Sequence, residues 1–230
     1  MAKIQKLAVD IPFAVSVKRN AAARRIRLNI HPSRRVQLIL PKRAKLQSGI
    51  NFLREKMDWI SEILASCPKP VRFKPGVTVP LQGREHLICH SRDVSPRPVI
   101  RAGQLYVGGS WDLVHHSVIT YMKHRARTTL CKYVDDYAEA IGKHVERITI
   151  RDMQSRWGSC SNKKRITLNW RLIMAPTYVA RYVAAHEVAH MLEMNHSPKF
   201  WRVVDDIYGG DCTAAKEWLK ANGQRLMQAV

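Results

Sequence analysis

The amino-acid sequence predicts an α+β protein in two parts: a small, basic, β-rich domain with one helix over residues 1–110, and a mainly helical domain with a short β-sheet over residues 111–230. Three observations lead there. Apolar and polar residues alternate in several short runs of the first half, the signature of strands, whereas apolar residues recur every three or four positions through much of the second half. Charge divides along the same line: residues 1–110 carry 21 Lys and Arg against 6 Asp and Glu, net +15, and residues 111–230 carry 18 against 12, net +6. Apolar residues make up 46% of the 230, enough for folded cores.

Taken in order, IRLNI (26–30) and VQLIL (36–40) alternate apolar with polar residues, and HPSRR between them carries turn chemistry, so a basic β-hairpin is expected. From Leu46 the apolar positions Ile50, Leu53, Met57, Ile60 and Leu64 recur at helical spacing, which predicts one amphipathic helix ending before Cys67-Pro68-Lys69-Pro70. Short apolar pieces broken by Pro and Gly over 71–110 read as further strands and turns. Between Leu113 and Ile141 the period becomes helical, with Gly142 as the stop. RITIR (147–151) and the segment ending in ITLNW (166–170) read as two strands joined through a loop containing Gly158, with Ile166, Leu168 and Trp170 on one face. After Pro176 a helix capped by Thr177 is expected, followed by C-terminal helices.

No window holds the eighteen or so uncharged apolar residues of a membrane span, so a soluble cytoplasmic protein with no membrane partner is expected. Five cysteines at irregular spacing, with no C-x-x-C pair, point to reduced thiols rather than a disulfide framework.

The stretch VAAHEVAHMLEMNHSPKFW (183–201) carries the most chemistry. On a helix, His186 and His190 fall on one face about 6 Å apart along the axis, close enough to share one ion. Glu187, one step round, can then take a proton from a metal-bound water without being a ligand, which is the mechanical content of H-E-x-x-H. A catalytic zinc usually has a third protein ligand. Glu193 is on the same face but about 10 Å along the axis from His186, too far on a straight helix. His196 is preferred: Asn195 can end the helix in the left-handed conformation, and Ser197-Pro198 reads as the cap and first residue of the next helix. A control is internal to the chain. His86 and His90 also stand four apart, but on a strand, where four residues span about 13 Å and cannot share an ion; His115-His116 receives the same reading.

These motifs carry a family resemblance. The basic hairpin and the helix ending in MDWISEILA, then RWGSCS, ITLNWRL and VAAHEVAHMLEMNHSPKFW in that order, resemble the YgjP-like metallopeptidase family, related to the SprT-like proteases. The resemblance implies a zincin-like metallopeptidase domain over 111–230, Zn2+ as cofactor held by His186, His190 and His196, Glu187 as general base, and a peptide or protein substrate. The histidine spacing also equals that of metzincins, but Glu193 stands where their glycine would be.

Peptide hydrolysis needs a group that holds the developing oxyanion, and Arg156 in RWGSC is the candidate. Asn169 would border a substrate-pairing edge if its strand lies at the edge of the sheet. Tyr182, Trp157, Phe200 and Trp201 read as core residues, and Cys160 has no histidine partner that would make it a nucleophile. The surplus charge of the first half points to an anionic partner, nucleic acid or nucleotide, contacted through Arg24, Arg25, Arg27, Arg34 and Arg35. Three functions therefore stand side by side: a zinc peptidase, a metal-dependent nucleotide phosphoanhydride hydrolase, and a protease acting on proteins bound to nucleic acid.

Overall fold

In the computed structural model, residues 5–6, 11–30, 36–66, 71–91, 93–95, 97–153 and 155–229 are described. The chain divides into two compact units at Val71/Arg72.

The first unit is built on a four-stranded sheet of β1 (Gln5–Lys6), β2 (Val15–Asn20), β3 (Arg27–Ile30) and β4 (Val36–Pro41), in the order β1-β2-β4-β3. The expected hairpin is present: β3 pairs antiparallel with β4, Leu28 opposite Leu38, while β2 runs parallel to β4. Its turn, with Arg34 and Arg35, lies outside the described residues. Alternation puts Val36, Leu38 and Leu40 on the inner face beside Val15 and Val17, and Leu53, Ile60 and Leu64 cover them. Where the sequence predicts one helix, two are found, α1 (Leu46–Glu55) and α2 (Met57–Ser66). The interruption is a kink at Lys56 (φ −99°, ψ 13°). Lys56 N–H still donates to Phe52 O (3.2 Å) and Ile60 N–H to Lys56 O (2.9 Å). The apolar stripe read from the sequence therefore runs unbroken across it.

The second unit starts with a sheet of β5 (Thr78–Leu81), β6 (Arg84–His90), β7 (Val99–Arg101) and β8 (Gln104–Val107), in the order β5-β6-β8-β7. Residues 72–110, which the sequence reading groups with the first domain, lie in this unit instead. The reason is the tip of the β5–β6 hairpin: Gln82 N–H donates to Ile173 O (2.7 Å), and Gly83, at φ +78°, approaches Pro176 so closely that a Cβ would stand 2.9 Å from its Cα. Such docking joins residues some ninety positions apart and leaves no mark in local periodicity.

A long helix α3 (Val114–Ala140) follows, burying Val114, Val118, Met122, Ala126, Leu130 and Val134 in one stripe and stopping at Gly142 (φ +60°). The next sheet has three strands rather than two: β9 (Arg147–Arg151), β10 (Gly158–Cys160) and β11 (Arg165–Asn169), in the order β10-β11-β9. Gly158, expected in a loop, is thus in a strand, and Trp170 begins a 3-10 turn (Trp170–Met174). Helices α4 (Thr177–Ala189), α5 (Pro198–Tyr208) and α6 (Thr213–Met227) complete the unit. No helix among the described residues is long and apolar enough to cross a membrane, and Cys89, Cys131, Cys160 and Cys212 are free.

Arg171 secures the turn that feeds α4. It is 2% exposed, its Nη1 donates to Asp152 Oδ1 (2.5 Å) and its Nε to Ala229 O (2.9 Å). Its guanidinium also stacks 4.8 Å from the Trp170 ring. Arg171→Leu should therefore lower stability by about 1–3 kcal/mol, because the buried Ala229 carbonyl loses its donor while the half-exposed Asp152 is rehydrated. Denaturant unfolding of the two proteins measures the difference.

Candidate metal centre

Helix α4 starts at Thr177 with Pro176 before it and no side-chain cap, so the predicted Thr177 cap is replaced by a first helical residue. Its alanines and valines (Val179, Ala180, Val183, Ala184, Ala185, Val188, Ala189) are buried, and the small ones let neighbouring helices approach. His186 and Glu187 occupy the last turn, and His190 is the C-cap, still in the right-handed region (φ −63°, ψ −13°). The turn after it closes differently from expectation. Asn195 does not adopt positive φ; its Oδ1 accepts a hydrogen bond from Ser197 N–H (3.2 Å), a side-chain-built turn. Ser197 then caps α5 by accepting from Phe200 N–H (3.4 Å), with Pro198 in the first turn as predicted.

This reversal carries His196 back to the other two histidines. One ligand atom from each of His186, His190 and His196 can be chosen so that all lie within 4.8 Å of one another, and His186 Nε2 is 3.2 Å from His196 Nε2. Two nitrogens bound to one tetrahedral ion at 2.0–2.1 Å stand about 3.3 Å apart, so this spacing suits a shared ion. His190 Nδ1 lies 3.1 Å from Glu193 O, which as an acceptor fixes the proton on Nδ1 and leaves Nε2 free. The fully buried Phe200 lies 4.5–4.9 Å from all three imidazole centroids and holds the rings in place. Glu193 does not join the group: its carboxylate is paired with Lys199. Burial pushes His186 down to about 4, helped by the charges of His190, His196 and Lys216, so its ring is a neutral acceptor. His190 is lowered too, mainly by burial. The donor set thus fits a divalent metal ion of the kind that nitrogen ligands favour.

Glu187 is 5% exposed, and its Oε2 is buried without a partner among the described residues. Burial pushes its carboxyl up to about 8, while the positive charge of Arg156 acts the other way. Arg156 itself is exposed. The space for the carboxylate exists because residue 158 is glycine: a Cβ there would stand 2.3 Å from Glu187 Oε1 and 2.6 Å from Cδ. The sequence reading missed this role; the only signal was a glycine inside the family-like RWGSC stretch.

The metal-free protein should show the cost of that buried carboxyl. Unfolded Glu187 loses its proton near the ordinary value of 4.5, whereas the folded chain keeps it to about 8. This group's contribution to stability therefore falls as pH rises from about 4.5 to about 8 and is level above. Glu187→Gln has no such proton. In chelator, its melting temperature should gain on wild type across that window; a constant gap between pH 5 and 8 would contradict the assignment.

Other sequence candidates sort clearly. Asn169 is not on an edge: β11 is the central strand, β10 and β9 are the edges. The Asn169 side chain is fully buried, donating to Met153 O (2.8 Å) and Arg156 O (3.3 Å), so it anchors the segment leading to Gly158. Tyr182 is buried, 6.0 Å from the His186 ring, with its hydroxyl pushed up to about 12 by burial. Trp201 is half-buried with Lys216 Nζ 4.2 Å from its ring centre, and Trp157 packs beside Gly223. The Cys160 thiol is pushed up to about 11 by burial and by Glu187, unsuited to a nucleophile. His86 and His90 lie on β6 and contact separate carbonyls, Arg84 O and Gly109 O (both 2.8 Å), while His115 accepts from Phe73 N–H (3.1 Å). Arg24, Arg25 and Arg27 are exposed in the first unit.

A family model described as YgjP-like, metallopeptidase domain, matches residues 24–222. Among solved structures the chain is similar to the metallopeptidase zymogen of Pyrococcus abyssi abylysin, with 23% identity, 44% of this chain and 98% of that chain covered, and a TM-score of 0.37. No curated protein matches. With the family model spanning most of the chain, the protein belongs to the YgjP-like metallopeptidase family.

Proposed function

We propose that the second unit is a zinc-dependent peptidase in which His186, His190 and His196 hold the ion and Glu187 is the general base. The observation that carries this reading is the convergence of three imidazoles, with Glu187 directly after the first of them in α4 and its Oε2 buried with no partner among the described residues. When bound, a zinc ion would polarise a water molecule and the scissile carbonyl and, as a nearby positive charge, would favour the ionised form of Glu187.

The chain supplies the rest. Glu187 accepts the proton of the attacking water at Oε2 and returns it to the leaving amine. Burial around Glu187 and Phe200 keeps bulk water from competing for that proton. Arg156 offers an exposed positive charge close enough to influence Glu187, which supports it as the group that would hold the developing oxyanion. Strand β10 has β11 on one side only, and Gly158 in it faces Glu187. An extended peptide adding to its outer edge would pass beside the base, the role first read for Asn169. The test is cleavage of a fluorogenic peptide library by the purified chain, its loss in chelator and its recovery with zinc. Cleavage that survives metal removal would sink the reading.

A further inference from the structure

The three histidines of the candidate metal centre all belong to the second unit, yet residues 1–71 hold 15 Lys and Arg against 4 Asp and Glu, net +11 of the chain's +21. That density is unnecessary for solubility and marks an anionic partner. The fold gathers part of it around aromatic surface. Phe52, Lys56 and Trp59 follow one another at four- and three-residue steps along the face that continues through the Lys56 kink. With Arg27 and Leu28 of the edge strand β3 they line a cavity of about 510 Å³. Trp59 is 48% exposed, although tryptophan is on average highly buried. Among the described residues Lys56 pairs with the neighbouring Glu55 carboxylate (3.0 Å), an exposed pair that a phosphate can displace. Elsewhere in the unit the Arg19 guanidinium donates to Lys42 O (3.1 Å) and Ala44 O (2.8 Å), stiffening a turn from which Lys42, Arg43 and Lys45 are exposed.

We infer that this cleft binds single-stranded nucleic acid, one base stacking on Trp59 and Phe52 with the flanking phosphates on Arg27 and Lys56. The chemistry selects this partner. Aromatic faces next to separate cations match the alternation of bases and phosphates in a single strand, and stacking needs no particular base. In a duplex the bases are already stacked and cannot enter. An acidic peptide would use the cations but leave the rings idle, and a membrane would call for a protruding apolar face where this one is recessed.

The experiment is fluorescence anisotropy of the full chain with labelled 12-mers of oligo-dT and oligo-U, a duplex of equal length, poly-glutamate and anionic vesicles as competitors. Trp59→Ala should weaken single-strand binding about 5- to 150-fold, and Trp59→Phe, which keeps a stacking face, should recover most of it. Arg27→Ala and Lys56→Ala should each lower the slope of log affinity against log salt by about 0.7, the value for one phosphate contact on a single strand. Melting curves of each variant confirm folding, and zinc-dependent cleavage of a short peptide should be unchanged in Trp59→Ala, so a failed peptidase proposal and a failed binding proposal give different results. Equal affinity of Trp59→Ala and wild type, a preference for duplex, or displacement by vesicles or poly-glutamate but not by unlabelled single strand would overturn the inference.

Discussion

Replacing Glu187 by Gln is expected to slow peptide cleavage by about 10²- to 10⁴-fold while metal content stays at that of the wild type. The amide has nearly the same size and is accommodated in the same space beside Gly158, but it cannot accept the proton of the attacking water. The three imidazoles do not use Glu187 as a partner, so metal retention separates loss of the base from loss of the site. A variant that loses both together would mean that Glu187 holds the ion, and the proposed division of roles would be wrong.

Gly158→Ala is the second large effect, and a less obvious one. The new methyl would stand 2.3 Å from Oε1 and 2.6 Å from both Cδ and Cγ of Glu187. Because the obstructing atoms are the movable end of a side chain, the fold can survive by swinging the carboxylate aside. The displaced end is the proposed base, however, and misplacement by about 1 Å costs on the order of 10²-fold in rate. Cleavage should fall by that factor or more, with circular dichroism and metal content little changed. Wild-type kinetics in Gly158→Ala would show that Glu187 need not sit where the structure has it.

Much of the centre was legible because its geometry is local. A four-residue step on a helix fixes the relation of His186 to His190, and Ser197-Pro198 fixes where α5 must start, which together bring the intervening His196 back. Even there the chemistry of Asn195 was read from the wrong atom, since its side chain rather than a left-handed backbone makes the turn. What escaped the sequence depends on contacts between distant segments. Strand order decides that Asn169 is interior and β10 is the edge, and no periodicity records it. The same holds for Gly158, whose reason lies twenty-nine positions away in Glu187. The boundary at 71/72 is set likewise by a hairpin tip meeting Ile173 and Pro176. The kink at Lys56 is invisible for a different reason: the apolar stripe continues through it, so the pattern that predicts a helix cannot tell one helix from two.

The central claim is that three histidines of this chain hold one zinc ion. X-ray absorption at the zinc edge on the purified protein addresses it directly. The account predicts one zinc per chain with about three imidazole nitrogens at about 2.0–2.1 Å and one further light ligand, reduced by one imidazole in His196→Ala. A sulfur ligand, a substoichiometric metal, or an unchanged spectrum in His196→Ala would contradict it.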